Sequence, residues 1–164
     1  MVPHTLEAVV AGAACIAAVY GLSARDACAS VMPLFHVGGV LRNLLAPLLS
    51  GGRTVVLPAF EPSLFLDVVE QRRPTWYYAG PTIHVAILDA FNRRGGGGGG
   101  GGGPSSTKRP GGPSRVANEA PPTSLRLIAN AAGPLLPRIA HEMAHAYGSG
   151  CAILPSYGMT ECMP

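Results

Sequence analysis

Charge is what this sequence has least of. Only 13% of its 164 residues are Asp, Glu, Lys or Arg, against 48% apolar and a mean hydropathy of +0.28. So little charge covers a free-standing surface poorly, and the composition reads as the inside of a larger domain. The formal charge of +3 sits on scattered residues and short clusters such as Arg72-Arg73, Arg93-Arg94 and Lys108-Arg109. No basic stripe with interleaved aromatics is present, which argues against nucleic acid as a partner. The four cysteines, at 15, 28, 151 and 162, form no CxxC pair and no dense framework. Reduced thiols in an intracellular chain, cytoplasmic or in an organelle lumen, are expected, with Cys15 packed as a small apolar residue. Nor does any apolar run reach the ~20 residues that cross a bilayer. The one candidate, Ala8 to Leu22, is preceded by Glu7 and by no Lys or Arg, unlike a secretory leader, and is expected to be a buried helix.

Glycine and proline are plentiful but unevenly spread. Residues 93–122 are dominated by Gly, Pro and Ser and are read as a disordered insertion that splits one domain into parts 1–92 and 123–164. Its oligoglycine core, Gly95 to Gly103, follows Arg93-Arg94 and precedes Pro104-Ser105-Ser106. A phosphate loop needs a strand feeding it and a helix N-terminus or Lys completing it, so phosphate binding is not expected there.

Outside the insertion, apolar runs of strand length alternate with helical patterns. Leu6 to Tyr20, after Pro3 and Thr5 and before Gly21, reads as a helix. Ala27 to Met32 reads as a strand, Val40 to Leu49 as a helix that Pro47 kinks or shortens, and Arg53 to Leu57 as a strand buried on both faces. A helix follows Glu61-Pro62-Ser63, then a strand at Thr75 to Tyr78, and a helix from Ile83 to Phe91. Leu125 to Ala129, Pro137 to Tyr147 and Cys151 to Leu154 complete the order strand, helix, strand. Five strands alternating with helices predict an α/β fold, a mostly parallel sheet with helices on both faces. In such sheets ligands sit at the carboxyl ends of the strands. That rule points to the loops Pro33 to Gly39, Ala79 to Thr82, Asn130 to Leu135 and Pro155 to Glu161.

The last of these loops, Pro155-Ser156-Tyr157-Gly158-Met159-Thr160-Glu161, has the parts a nucleotide needs. A Tyr ring can flank a base, Gly allows close backbone approach, a Thr hydroxyl can bond a phosphate oxygen and a carboxylate can take Mg²⁺. On these residues alone, an ordinary strand-to-turn junction with a solvated Glu161 is an equal reading.

The segment resembles the YGxTE motif of the adenylate-forming (AMP-binding) superfamily, which includes acyl-CoA synthetases and the adenylation domains of peptide synthetases. Three further segments resemble that family in the same order. They are Val2-Pro3-His4-Thr5, Pro33-Leu34-Phe35-His36-Val37-Gly38-Gly39, similar to PxFHxxG, and Asn130-Ala131-Ala132-Gly133-Pro134-Leu135, similar to SGGAPL. The resemblance implies a fragment of the large N-terminal domain of such an enzyme. The activity implied is ATP-dependent activation of a carboxylic acid to an acyl-adenylate, then thioester formation with CoA or a carrier-bound phosphopantetheine.

Roles carry over position by position. Thr160 is implied to contact the α-phosphate, Glu161 to hold Mg²⁺, and Tyr157 and Gly158 to sit beside the adenine. The backbone of Ala131, Ala132 and Gly133 is implied to lie against adenine and acyl group. His36 is implied to line the acyl pocket and the thiol's route, with Phe35, Gly38 and Ser156 shaping that pocket. Two glycines of the SGGA segment are replaced here by alanine. The family's Gly-rich Ser/Thr phosphate loop, its ribose-binding Asp, its hinge and its catalytic Lys are not among these segments, so the chain alone is expected not to adenylate.

Two rival readings come from other classes. His141-Glu142-Met143-Ala144-His145 fits HExxH, with Cys151 as a possible third ligand of a zinc peptidase; the plainer reading puts His141, Glu142 and His145 on the wet face of a helix. A non-catalytic remnant of the fold is the other. His84 is expected to be a hydrogen-bonded structural residue.

Overall fold

The computed structural model describes residues 2–95 and 123–162. The insertion expected at 93–122 lies outside the described residues from 96 onward. Residues 93–95 belong instead to a helix, where Arg94 is held by the Ser63 carbonyl and by Asp67, both at 2.8 Å.

The described residues form one five-stranded parallel sheet in the order β2-β1-β3-β4-β5. β1 is Ala27–Ser30, β2 Arg53–Val56, β3 Trp76–Ala79, β4 Leu127–Asn130 and β5 Ala152–Pro155. β3 pairs with β4 in register, Trp76 opposite Leu127 and Ala79 opposite Asn130, so the stretches before and after the insertion share one sheet. The helices are α1 (Leu6–Val19), a π-helix (Gly39–Leu45) running into α2 (Ala46–Leu49), α3 (Pro62–Arg72), α4 (Pro81–Gly95) and α5 (Pro137–Tyr147).

Chain direction decides which face each helix covers. From β1 the chain steps to β2 on one side, then returns past β1 to β3 and continues away from it. Right-handed crossovers therefore place the π-helix and α2 on one face and α3, α4 and α5 on the other. α1 joins the first group. Alternation along the strands feeds both cores: Tyr77, Ala79 and Ile128 pack with Phe65, Ile87 and Met143, while Cys28, Trp76, Tyr78 and Ala129 pack with Ala13, Ile16 and Leu41. The Tyr77 ring meets Phe65 edge-on at 5.0 Å and Trp76 meets Tyr20 at 5.6 Å. Burying each such side chain is worth about 2–3 kcal/mol.

Further expectations need correction. β2 is not buried on both faces; it is an edge strand with Arg53 and Val56 exposed, because a β-branched run records strand propensity and not position in the sheet. α1 is half buried, with Leu6 at 78% and Val19 at 70% exposure, since one of its faces meets the sheet and nothing among the described residues covers the other. Cys15 lies on that outer side and is exposed.

Pro47 does not end its helix, which continues to Leu49. It enters within the first turn of α2, where it has no N–H to give the Asn43 carbonyl four residues back. Thr54 Oγ1 donates to that carbonyl at 2.7 Å, tying the helix to the edge strand. At the N-terminus, Thr5 caps α1 by accepting from the Ala8 N–H at 3.1 Å.

Beneath the sheet's amino end, Asp26 gathers several elements. Its carboxylate accepts from Arg126 Nε at 2.7 Å, from Thr75 Oγ1 at 2.8 Å and from the Ser23 N–H at 2.9 Å. Burial by itself would push this carboxyl up. The hydrogen bonds outweigh it and bring the pKa down to about 2.

Candidate functional site

A parallel sheet of order 2-1-3-4-5 has its switch point between β1 and β3, where the loops leaving the two strands diverge and open a crevice. The cleft found there, of about 370 Å³, is lined by residues leaving the carboxyl ends of β1, β3, β4 and β5. β1 contributes His36, Val37 and Gly38 and, through the π-helix, Leu41 and Arg42. β3 contributes Tyr78. Ala131 and Ala132 follow β4, and Gly158, Met159, Thr160 and Glu161 follow β5, with Ile16 of α1 closing one side.

Local chemistry fixes each wall. The Gly38 N–H donates to His36 Nδ1 at 3.0 Å, which leaves Nε2 as the protonated nitrogen of the neutral ring. Gly38 packs directly beneath the Tyr78 ring, and a Cβ at this position would lie 2.6 Å from Tyr78 Cε1. Burial pushes the Tyr78 phenol up, opposed by the adjacent Arg42 charge. Arg42 is 5% exposed; its guanidinium carbon lies 4.7 Å from the Tyr78 ring centroid and its Nη1 donates to Ser156 Oγ at 3.2 Å.

The loop after β4 is shaped by Asn130. Its Nδ2 donates to the Gly133 carbonyl at 3.0 Å, while its own carbonyl accepts from both the N–H and the Oγ of Ser156, at 2.8 and 2.9 Å. One residue thus joins the β4 and β5 loops. Ala132 keeps φ at +62°, a left-handed conformation that glycine would adopt without strain. Behind the loop, fully buried Tyr77 and His84 meet at 3.1 Å between Oη and Nδ1. Burial lowers the His84 pKa to about 4, against weaker opposing hydrogen bonds from the Ala79 backbone and the Asn130 side chain. His84 is therefore neutral near pH 7 and serves as a buried support.

The cleft brings together His36, Gly38, Ala131, Ala132, Gly158, Thr160 and Glu161 from the sequence-derived set. Four members of that set lie elsewhere. Phe35 is 93% exposed and Tyr157 82% exposed, the latter donating to Met159 Sδ at 3.7 Å. Ser156 sits behind the cleft wall, spent on Asn130 and Arg42. Gly133 lies against Pro81, where a Cβ would be 3.2 Å from Cγ.

Sequence reasoning missed Arg42 and Tyr78. The signal for Arg42 was a lone cation inside Val40-Leu41-Arg42-Asn43-Leu44-Leu45. That the Gly39–Leu45 stretch is a π-helix was not legible, and π-helical turns recur at functional sites.

The zinc reading loses its geometry. Glu142 pairs with Arg138 at 2.7 Å, His141 and His145 are exposed, and Cys151 is buried. Among the described residues no three His, Cys, Asp or Glu side chains gather as a ligand set. Nor is any helix among them long and apolar enough to cross a membrane.

Comparison with known proteins bears on the family and the fold. A family profile described as AMP-binding enzyme matches residues 1–164. A probable CoA ligase of Humulus lupulus is 34% identical over 151 residues, covering 89% of this chain and 23% of the relative. An oxalate–CoA ligase of Arabidopsis thaliana is 34% identical over 149 residues, covering 89% and 24%. The chain thus spans about a quarter of the length of these relatives. Among solved structures, the O-succinylbenzoate coenzyme A synthetase of Bacillus subtilis in complex with AMP superposes with a TM-score of 0.71 at 23% identity, over 98% of this chain and 27% of that one. A keto acid-selecting peptide-synthetase adenylation domain gives 0.73 at 20% identity, over 98% and 27%. Fold, cleft and sequence lead to one conclusion: this chain belongs to the family of AMP-binding, adenylate-forming enzymes.

Proposed function

We propose that the chain supplies the acid- and nucleotide-binding centre of an AMP-forming acid–thiol ligase. In the reaction, a carboxylate oxygen attacks the α-phosphorus of ATP and pyrophosphate leaves. A thiol sulfur then attacks the acyl carbon and AMP leaves. The observation that carries this reading is the single cleft in which His36, Ala131, Thr160 and Glu161, far apart in sequence, share one wall system at the sheet's switch point.

In this reading the Thr160 hydroxyl donates to an α-phosphate oxygen. The backbone of Ala131 and Ala132 lies against adenine and acyl group, where small side chains leave room, and Gly133 shapes that turn from outside the lining. Tyr157 and Gly158 border the base, and the exposed Tyr157 ring offers it a free face. His36, with Nε2–H outward, lines the acyl side and the thiol's approach. Phe35 and Ser156 act on that side from outside the lining, Ser156 by holding Arg42.

Glu161 is the one carboxylate among the cleft residues. That donor set fits Mg²⁺, which takes one or two protein carboxylates together with substrate phosphates and water. When bound, the ion neutralises phosphate charge; positioning by the surrounding loops is the chain's own contribution. The names of the curated relatives favour CoA over a carrier-bound phosphopantetheine as the thiol, and a reaction drawing on ATP and CoA belongs inside the cell.

The 164 residues alone are proposed to bind nucleotide without turnover. Their sole lysine is Lys108, within the glycine-rich stretch, and they hold no Gly-rich Ser/Thr phosphate loop. Titration calorimetry with AMP tests the reading: binding is expected, weakened about tenfold by Thr160→Ala through loss of a hydrogen bond to a charged group. A folded chain that gives no heat with AMP, or a variant that binds equally well, would sink it. Carboxylate-dependent pyrophosphate exchange by the isolated chain would overturn the claim that it cannot turn over.

A further inference from the structure

Among the described residues, Arg42 is a buried cation without a counter-charge. Among the described residues the ion pairs are Asp26–Arg126, Asp67–Arg94 and Glu142–Arg138, and none reaches Arg42. Glu161 lines the same cleft but lies beyond salt-bridge distance. Enclosing a guanidinium with no anion is heavily unfavourable, because the water it gives up is not replaced by an opposite charge. Two contacts hold the group in place and leave its charge standing: the face of the Tyr78 ring at 4.7 Å and the Ser156 hydroxyl at 3.2 Å.

Those contacts orient the fork. A guanidinium held over an aromatic ring, with one Nη1 hydrogen bond spent on a hydroxyl, has further N–H groups left to take a carboxylate two-pronged. The π-helix supplies the placement, setting Arg42 into the cleft three residues after Gly39. Around it the wall is apolar, with Ile16, Val37 and Leu41, whereas the hydroxyl and carboxylate suited to phosphate and metal, Thr160 and Glu161, come from the β5 loop.

We propose that Arg42 is a carboxylate subsite on the acyl side of the cleft, so that the acid taken by this chain carries a second anionic group at the end opposite the one that is activated. This deepens the ligase reading and rests on it for the identity of the activated carboxylate. A nucleotide phosphate offers the same oxyanion chemistry, and the test separates the two sources.

The 164-residue chain is titrated, in the presence of AMP, with malonate, succinate and glutarate and with the length-matched propionate, butyrate and valerate, and separately with pyrophosphate. At least one dicarboxylate is expected to bind about tenfold tighter than its monocarboxylate partner. In Arg42→Met the preference is expected to vanish, and in Arg42→Lys, which keeps the charge without the fork, to be partly retained. Thermal melts identify a misfolded variant, and if Arg42→Met does not fold, Arg42→Lys decides: an undiminished preference overturns the subsite. Equal binding of both acid series by the unaltered chain, no acid binding at all, or a preference that survives Arg42→Met would overturn it too. Loss of pyrophosphate or AMP affinity with acid preference unchanged would assign the guanidinium to phosphate and likewise overturn the proposal. Dicarboxylate preference in a chain that does not bind AMP would uphold the subsite while removing the adenylate reading.

Discussion

Asn130 and Gly133 close a turn on themselves, Nδ2 to carbonyl at 3.0 Å, and the turn obliges Ala132 between them to hold φ at +62°. An L-residue in this region carries about 1–2 kcal/mol of strain from its Cβ. The backbone shape that glycines would give freely is thus kept by alanine under constraint from its neighbours.

Replacing that alanine tests the constraint. Ala132→Gly is expected to stabilise the chain by up to about 1 kcal/mol, because relief of strain exceeds the added flexibility of the unfolded state. Urea denaturation measures it. A loss of stability would mean that the turn does not hold the residue under strain.

The opposite holds two strands away, after β1. Gly38→Ala places a methyl 2.6 Å from Tyr78 Cε1, and the ring can yield only by moving into the cleft or against Arg42. Overpacking of this kind costs about 1–3 kcal/mol. AMP affinity and melting temperature are both expected to fall; an unchanged melt would show that Tyr78 has room to move.

Thr54 and Pro47 are expected to couple. Thr54→Val strands the Asn43 carbonyl and costs about 1–2 kcal/mol. In a Pro47→Ala background the restored N–H can take that carbonyl, so the same substitution costs less there. A double-mutant cycle with no coupling energy would contradict the assignment.

Two pH windows are expected in the stability curve. The unfolded chain protonates His84 near 6.5 and the folded chain only near 4, so between those values the unfolded state binds more protons and stability falls as pH drops, by at most roughly 3 kcal/mol. Asp26 acts lower down: its contribution is complete above 3.8 and is lost as pH falls through about 2. His84→Gln is expected to flatten the upper window and leave the lower one. Equal slopes in both proteins between pH 4 and 6.5 would rule out His84 as the source.

The strand and helix order was readable because each element carries its own period and its own punctuation, as with Pro137 to Tyr147, which matches α5 end to end. Of the four loops picked out by strand polarity, Pro33 to Gly39, Asn130 to Leu135 and Pro155 to Glu161 supply cleft residues, whereas Ala79 to Thr82 supplies none. What the sequence could not give was anything set by neighbours. Thr54-Val55-Val56 looks the same in a central strand as at an edge. Leu6 and Val19 look buried until the face opposite the sheet is found uncovered. Arg42 and Tyr78 reach one another only because two crossovers bring the π-helix over β3, and Phe35 and Tyr157 stand exposed because motif letters do not encode what packs on them.

The four thiols fall into two kinds by position. Cys28 is fully enclosed in β1, an interior strand between β2 and β3, and burial raises its pKa far above the ordinary value; Cys151, packed where α5 turns into β5, is raised to about 11. Cys15 and Cys162 face solvent. An alkylating reagent will therefore modify two sites at once and the other two only as fast as the chain opens around them. The order in which Cys151 and Cys28 become labelled reports, without any added probe, whether the β5 margin loosens before the interior strand β1.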